Sequence, residues 1–127
     1  MLQQDFVDQL RAMGYTPEER GENRLAFRYT IPVGRLTGQE IWLGLVVNGD
    51  FPANPPSGPH VSPRLLPLHP CNDLPHPQGG VHESPFDGGG SGTKVWQYWS
   101  RPFHGWANTD RTVKTYMAHI RKLFATI

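Results

Sequence analysis

The stretch from Asp50 to Pro70, Asp-Phe-Pro-Ala-Asn-Pro-Pro-Ser-Gly-Pro-His-Val-Ser-Pro-Arg-Leu-Leu-Pro-Leu-His-Pro, constrains the fold most, because seven of its residues are proline (52, 55, 56, 59, 63, 67 and 70). Each proline fixes its own φ, removes a backbone donor and pushes the preceding residue toward extended geometry. The segment therefore reads as neither a helix nor a central strand. Phe51, Val61, Leu65, Leu66 and Leu68 recur through it and need burial. The expected form is a stiff extended connector pinned onto a core, with strands before it and a Gly-rich and then helical chain after it.

The flanking segments have their own periodicities. Leu2, Phe6, Leu10 and Met13 form a helical stripe over residues 2 to 14, ended by Gly14. A polar turn from Thr16 to Asn23 leads to Leu25, Phe27, Tyr29 and Ile31, which alternate as one buried face of a strand. Residues 40 to 48 repeat the pattern with Ile41, Leu43, Leu45 and Val47, while Trp42 and Val46 suggest partial cover on the opposite face. After the proline segment come Gly-rich residues around 78 to 92 and an aromatic turn from Val95 to Trp106. A last helix is expected after an N-cap at Thr109 or Asp110, with Val113, Tyr116, Met117, Ile120, Leu123 and Phe124 on its buried side.

These elements predict one α+β domain over residues 1–127: an N-terminal helix, an antiparallel β-meander, a long Pro/Gly-rich insert over about 64–95, and a C-terminal helix packed on the sheet. Glycine and proline together number 27 (14 and 13), which requires much turn and irregular chain. The net charge of +1, without a block of like charge, argues against nucleic acid or an anionic membrane as partner. No run is long and apolar enough for a membrane span, and Met-Leu-Gln-Gln-Asp does not read as a signal peptide. One cysteine excludes an internal disulfide and fits a reducing cytoplasm.

The layout and its punctuation resemble the ubiquitin-conjugating (UBC) fold and its RWD relatives. Phe51-Pro-Ala-Asn-Pro-Pro56 is similar to the family's proline turn after the third strand. His69-Pro70 begins its His-Pro-Asn step, with Asn72 displaced by Cys71, and Trp106 with Thr109 matches its Trp before a Thr-capped helix. Trp96-Gln-Tyr-Trp-Ser-Arg101 and Tyr116-Met-Ala-His-Ile-Arg-Lys-Leu resemble the divergent bacterial branch called prokaryotic ubiquitin-conjugating family E. The resemblance implies a bacterial ubiquitin-like modification pathway, with a ubiquitin-like protein and an activating enzyme as partners and no cofactor. It also implies a catalytic cysteine downstream of the His-Pro-Asn step. One alignment of that position lands on His82, beside Gly79-Gly80-Val81, and counting back from Trp106 lands near Tyr98. Neither side chain can carry a thioester, which needs a thiolate that both attacks and leaves at neutral pH.

Three chemistries stay open. Cys71 could be a relocated thioester cysteine, polarised by His69, Asn72 or His82; alternatively it is an inert small residue beside prolines. His69, Cys71, His76 and His82, spaced by two, five and six residues, could hold zinc, although they match no familiar motif and solvated loop histidines are the plain alternative. Trp96, Trp99 and Trp106 with Ser100, Arg101 and His104 could form a protein-recognition surface, on the expectation that two of the indoles are core and one is exposed. The resulting functions are a conjugating-enzyme-like protein whose cysteine chemistry is divergent or absent (if active, a transferase of a ubiquitin-like protein through a cysteine thioester), a non-catalytic adaptor that binds a ubiquitin-like protein or activating enzyme, or a metal-binding His/Cys loop protein.

Overall fold

A computed structural model describes residues 4–62, 65–66, 80–84, 86 and 96–127. Helix α1, Gln4–Ala12, is followed by strands β1, Glu18–Gly21, β2, Arg24–Thr30, β3, Glu40–Val46, β4, His60–Ser62, β5, Val81–Ser84, and β6, Trp96–Trp99. A 3₁₀ turn, Trp106–Asn108, precedes helix α2, Val113–Ala125. The strands form one open antiparallel sheet in the order β1-β2-β3-β4-β6-β5, with β6 between β4 and β5. This is an α+β fold.

Alternation places the sheet between two apolar clusters. Leu25, Phe27 and Tyr29 of β2, Ile41, Leu43 and Leu45 of β3, Val61, Val81 and Trp99 face both helices. Phe6, Val7 and Leu10 of α1 meet them, as do Val113, Tyr116, Met117, Ile120 and Phe124 of α2. The Phe124 ring lies 5.7 Å from Tyr29 and 5.3 Å from Trp99, so α2 spans both halves of the sheet. The helices are joined directly by a bond of 2.8 Å from the Val113 amide to the Gln9 carboxamide.

The expected strands over 25–31 and 40–48 and the stripe of α2 appear as read. Four points differ. His60–Ser62 is a central strand, paired to β3 and β6, although prolines 59 and 63 bracket it. Those prolines stand at its ends, so the three residues between them keep their ladder donors. Glu18–Gly21, expected as turn, is an edge strand closed onto β2 by Glu22 and Asn23, with φ of 50° and 64°, as a twist-matched two-residue hairpin requires. The aromatic turn begins as strand β6, and β5 falls inside the expected insert. Helix α2 is capped by Thr112, whose hydroxyl accepts from the Thr115 amide at 3.2 Å, rather than by Thr109 or Asp110.

The first part of the proline segment is pinned to the core. Phe51 is buried between Phe6 and Trp106, at 5.0 and 6.2 Å, and the Trp106 indole donates to the Pro52 carbonyl at 2.8 Å. The Phe51–Pro52 peptide is cis. Tyr116, fully enclosed, donates its hydroxyl to the Ser57 carbonyl at 2.8 Å. Burial raises the pKa of this phenol, which therefore stays a neutral donor.

Candidate functional site

Both helices cover one face of the sheet, and the other face is built by register. Glu18, Ala26, Gly44, His60, Tyr98 and His82 are successive cross-strand partners and form one rung over all six strands. Ala26 and Gly44 supply almost no side chain, so the rung has a notch at its centre. The Phe86 ring fills it: a Cβ on Gly44 would come within 2.7 to 3.0 Å of three of its ring carbons. Phe86 also lies 4.6 Å from Trp96 and 4.8 Å from His60, whose other neighbour is Tyr98 at 4.9 Å.

Arg24 holds this arrangement from β2. Its guanidinium donates to the Phe86 carbonyl and to the Arg20 and Gly21 carbonyls, the last two at 3.2 Å. Its Cζ stands 5.8 Å from the Phe86 ring. His60 is thus half-buried among rings and close to a fixed cation. Desolvation, aided by Arg24, pushes its pKa down to about 4, so near neutrality it is a neutral imidazole.

Beside the notch, two guanidiniums lie over the half-buried Trp42 ring, Arg20 at 5.2 Å and Arg28 at 5.4 Å from its centroid. Arg28 is the cross-strand partner of Trp42 and pairs with Glu40, while Arg20 pairs with Glu18 at 3.1 Å. Aromatic surface with arginines fixed around it is the composition of a protein-contact face.

The residues singled out from sequence fall differently. His69, Cys71, Asn72 and His76 lie outside the described residues, so the proposed thioester and zinc sets are represented by His82 alone. His82 is half-buried on β5, 6.2 Å from its partner Tyr98. Among the described residues no group of three or more His, Cys, Asp or Glu could hold a metal ion. Trp96, Trp99 and Trp106 are only 2%, 1% and 4% exposed, which corrects the expectation of one solvent-facing indole. The reason is that β6 lies inside the sheet, so Trp99 enters the helix-side cluster while Trp96 enters the cluster beneath Phe86. Arg101 is also buried and donates to the Ser100 carbonyl at 3.0 Å. The Arg101 carbonyl meets His119 Nε2 at 3.2 Å, and burial lowers the pKa of that imidazole. Ser100 ties its amide to Gly80 at 2.9 Å, and His104 is exposed.

Arg20, Arg24, Arg28, His60 and Phe86 were missed by sequence reading. The available signal was the polar half of β2, where Arg24, Ala26 and Arg28 alternate with the core residues opposite Trp42. No protein-family model, curated protein or solved structure matches the chain. Among the described residues no helix is long and apolar enough to cross a membrane.

Proposed function

We propose that the chain is a UBC/RWD-like domain of a bacterial ubiquitin-like modification pathway, which binds the modifier or its activating enzyme without the family's cysteine chemistry. The bond from the Trp106 indole to the Pro52 carbonyl carries this reading. It joins in space two motifs, far apart in sequence, on which the resemblance rests: the Phe51-Pro-Ala-Asn-Pro-Pro56 turn and the Trp before the last helix. Two further observations favour a binding role over transfer. The positions that align with the family's cysteine, His82 and Tyr98, are cross-strand partners in β5 and β6, and neither can form a thioester. The sheet face opposite the helices carries Trp42 with its arginines, the contact composition that an adaptor needs.

The test mixes the protein with ATP and the ubiquitin-like proteins and activating enzymes encoded near its gene. Products are resolved with and without reductant, for wild type and Cys71→Ser, and binding is measured by calorimetry. The expected result is no reductant-sensitive adduct, with binding to one partner that weakens at least tenfold in Trp42→Ala, the loss of a contact of about 1.4 kcal/mol. A reductant-sensitive adduct absent from Cys71→Ser makes the protein a thioester-carrying enzyme instead. Absence of both adduct and binding refutes the pathway and leaves the fold.

A further inference from the structure

We propose that the exposed side of α2 docks an acidic segment of a partner protein, a contact separate from the Trp42 face of the sheet. Steps of four, three and four residues run from Lys114 through Ala118 and Arg121 to Ala125, with Lys122 beside Arg121, and all five are exposed. They form one row along the helix, and exposed Arg111 stands just before it. The helix contains no Asp or Glu. Residues 100–127 hold five of the chain's 12 Lys and Arg but one of its 11 Asp and Glu, which leaves seven against ten in the rest. The row is therefore a cationic face on a chain whose remainder is net acidic.

Two observations set this row apart from ordinary solvated charge. The first is that it is unpaired. On the sheet, Arg20 and Arg28 pair with Glu18 and Glu40, whereas among the described residues Arg111, Lys114, Arg121 and Lys122 make no ion pair or side-chain hydrogen bond. The carboxylates at the start of the helix are already engaged: Asp110 by Thr112 and Thr115, and Asp5 by Gln9, which also accepts from the Val113 amide. The second observation is position. Lys122 lies in the last turn, where the helix dipole favours a cation, but Lys114 lies in a first turn without an acidic residue, where the dipole disfavours one. Helix stability accounts for one end of the row and works against the other.

The occupant is a polypeptide rather than a nucleic acid. Lys114 and Arg121 stand seven residues apart, about 10 Å along the helix axis. An extended chain covers that span with carboxylates about three residues apart. Ala118, between the two cations, offers a small apolar contact to the side chains in between. A phosphate backbone gains from a longer run of cations, and the net acidic remainder of the chain repels it.

Fluorescence anisotropy on the full chain tests the docking face with a labelled peptide of repeating Asp-Val-Thr units, about 12 residues long, and its Asn-Val-Thr counterpart. The expected result is that the Asp peptide alone binds, and more weakly as salt is raised from about 50 to about 200 mM. Lys114→Glu and Arg121→Glu should each weaken binding about tenfold or more, with far-UV circular dichroism unchanged. Thr16→Glu combined with Gln39→Glu, at exposed positions off the helix, shifts the net charge by the same two units and should leave binding unaltered. No modifier or activating enzyme enters this assay, so its failure is separate from failure of the conjugation-pathway reading. Absence of binding overturns the proposal, and so does an equal loss in the charge-matched control, which would reduce the effect to net charge. A single-stranded oligonucleotide that binds more tightly than the peptide through Lys114 and Arg121 also overturns it, marking a nucleic-acid face instead.

Discussion

Gln97 grips the backbone of Leu66 from the middle of the sheet. Its carboxamide oxygen accepts from the Leu66 amide at 3.3 Å, and its nitrogen donates to the Leu66 carbonyl. The same oxygen accepts from the Leu65 amide and from the Trp99 indole, at 3.1 and 3.3 Å. Gln97 is 0% exposed, so a side chain performs for this proline-bounded segment what a neighbouring strand would otherwise do.

Gln97→Leu keeps the volume and removes every one of those partners. Buried backbone groups left unpaired cost about 1–3 kcal/mol each, so the variant should lose about 3 kcal/mol in urea unfolding. Amide exchange at Leu65 and Leu66 should accelerate more than at strand positions of β2. A stability loss below about 0.5 kcal/mol would show that the clamp contributes nothing.

Helix α2 is held by its buried stripe. Ile120, 0% exposed, should cost about 2–5 kcal/mol when cut to alanine, as truncation of an enclosed aliphatic does. Lys114 on the exposed side is the control, expected to change stability by less than about 0.5 kcal/mol on the same substitution. Equal effects at the two positions would refute the packing.

Legibility in the sequence followed the side chains that a single face demands. Leu25, Phe27 and Tyr29 alternate with Ala26 and Arg28, so β2 could be read directly, and Ile120 with its neighbours made α2 plain. β1 has no apolar residue to alternate, because an exposed edge strand does not need one. β6 hides its period for the opposite reason: Trp96 and Trp99 both bury, one on each side of the sheet, so apolarity runs through it without a break. β4 is three residues between prolines and too short to show any pattern. The candidate site was the least legible part, since the notch exists only when Ala26, Gly44 and His60 fall into one rung, and strand register is a tertiary property. Trp42 and Val46 gave notice that the second face was covered.

Gly34 and Gly38 separate two reasons for a glycine. Both have left-handed φ, 84° and 89°, but an added Cβ would collide with the Phe124 carbonyl at Gly34 and meet open space at Gly38. Gly38→Ala should therefore cost about 1 kcal/mol from backbone strain alone. Gly34→Ala should add about 1–3 kcal/mol for crowding against the last turn of α2. Equal losses would mean that the turn is free to move away from the helix.

Asp110 carries the pH dependence at the start of α2. Its exposed carboxylate accepts from the Thr115 hydroxyl at 2.6 Å, the Thr112 hydroxyl at 2.9 Å and the Thr112 amide at 3.2 Å. The bond from Thr115, then that from Thr112, holds its pKa below the ordinary 3.8. A depressed carboxylate pKa means that the fold favours the ionised form. The contribution is full above 3.8 and is lost as pH falls through the lower, folded value. The charge also faces the positive end of the helix dipole. Asp110→Ala should thus lower the thermal midpoint at neutral pH, and the gap to wild type should narrow as the solution is brought below about pH 4. Thr115→Val should reproduce part of the neutral-pH loss, because it removes the strongest of the three donors. A gap that stays constant from neutral to acid would show that Asp110 acts at this turn through shape and not through its charge.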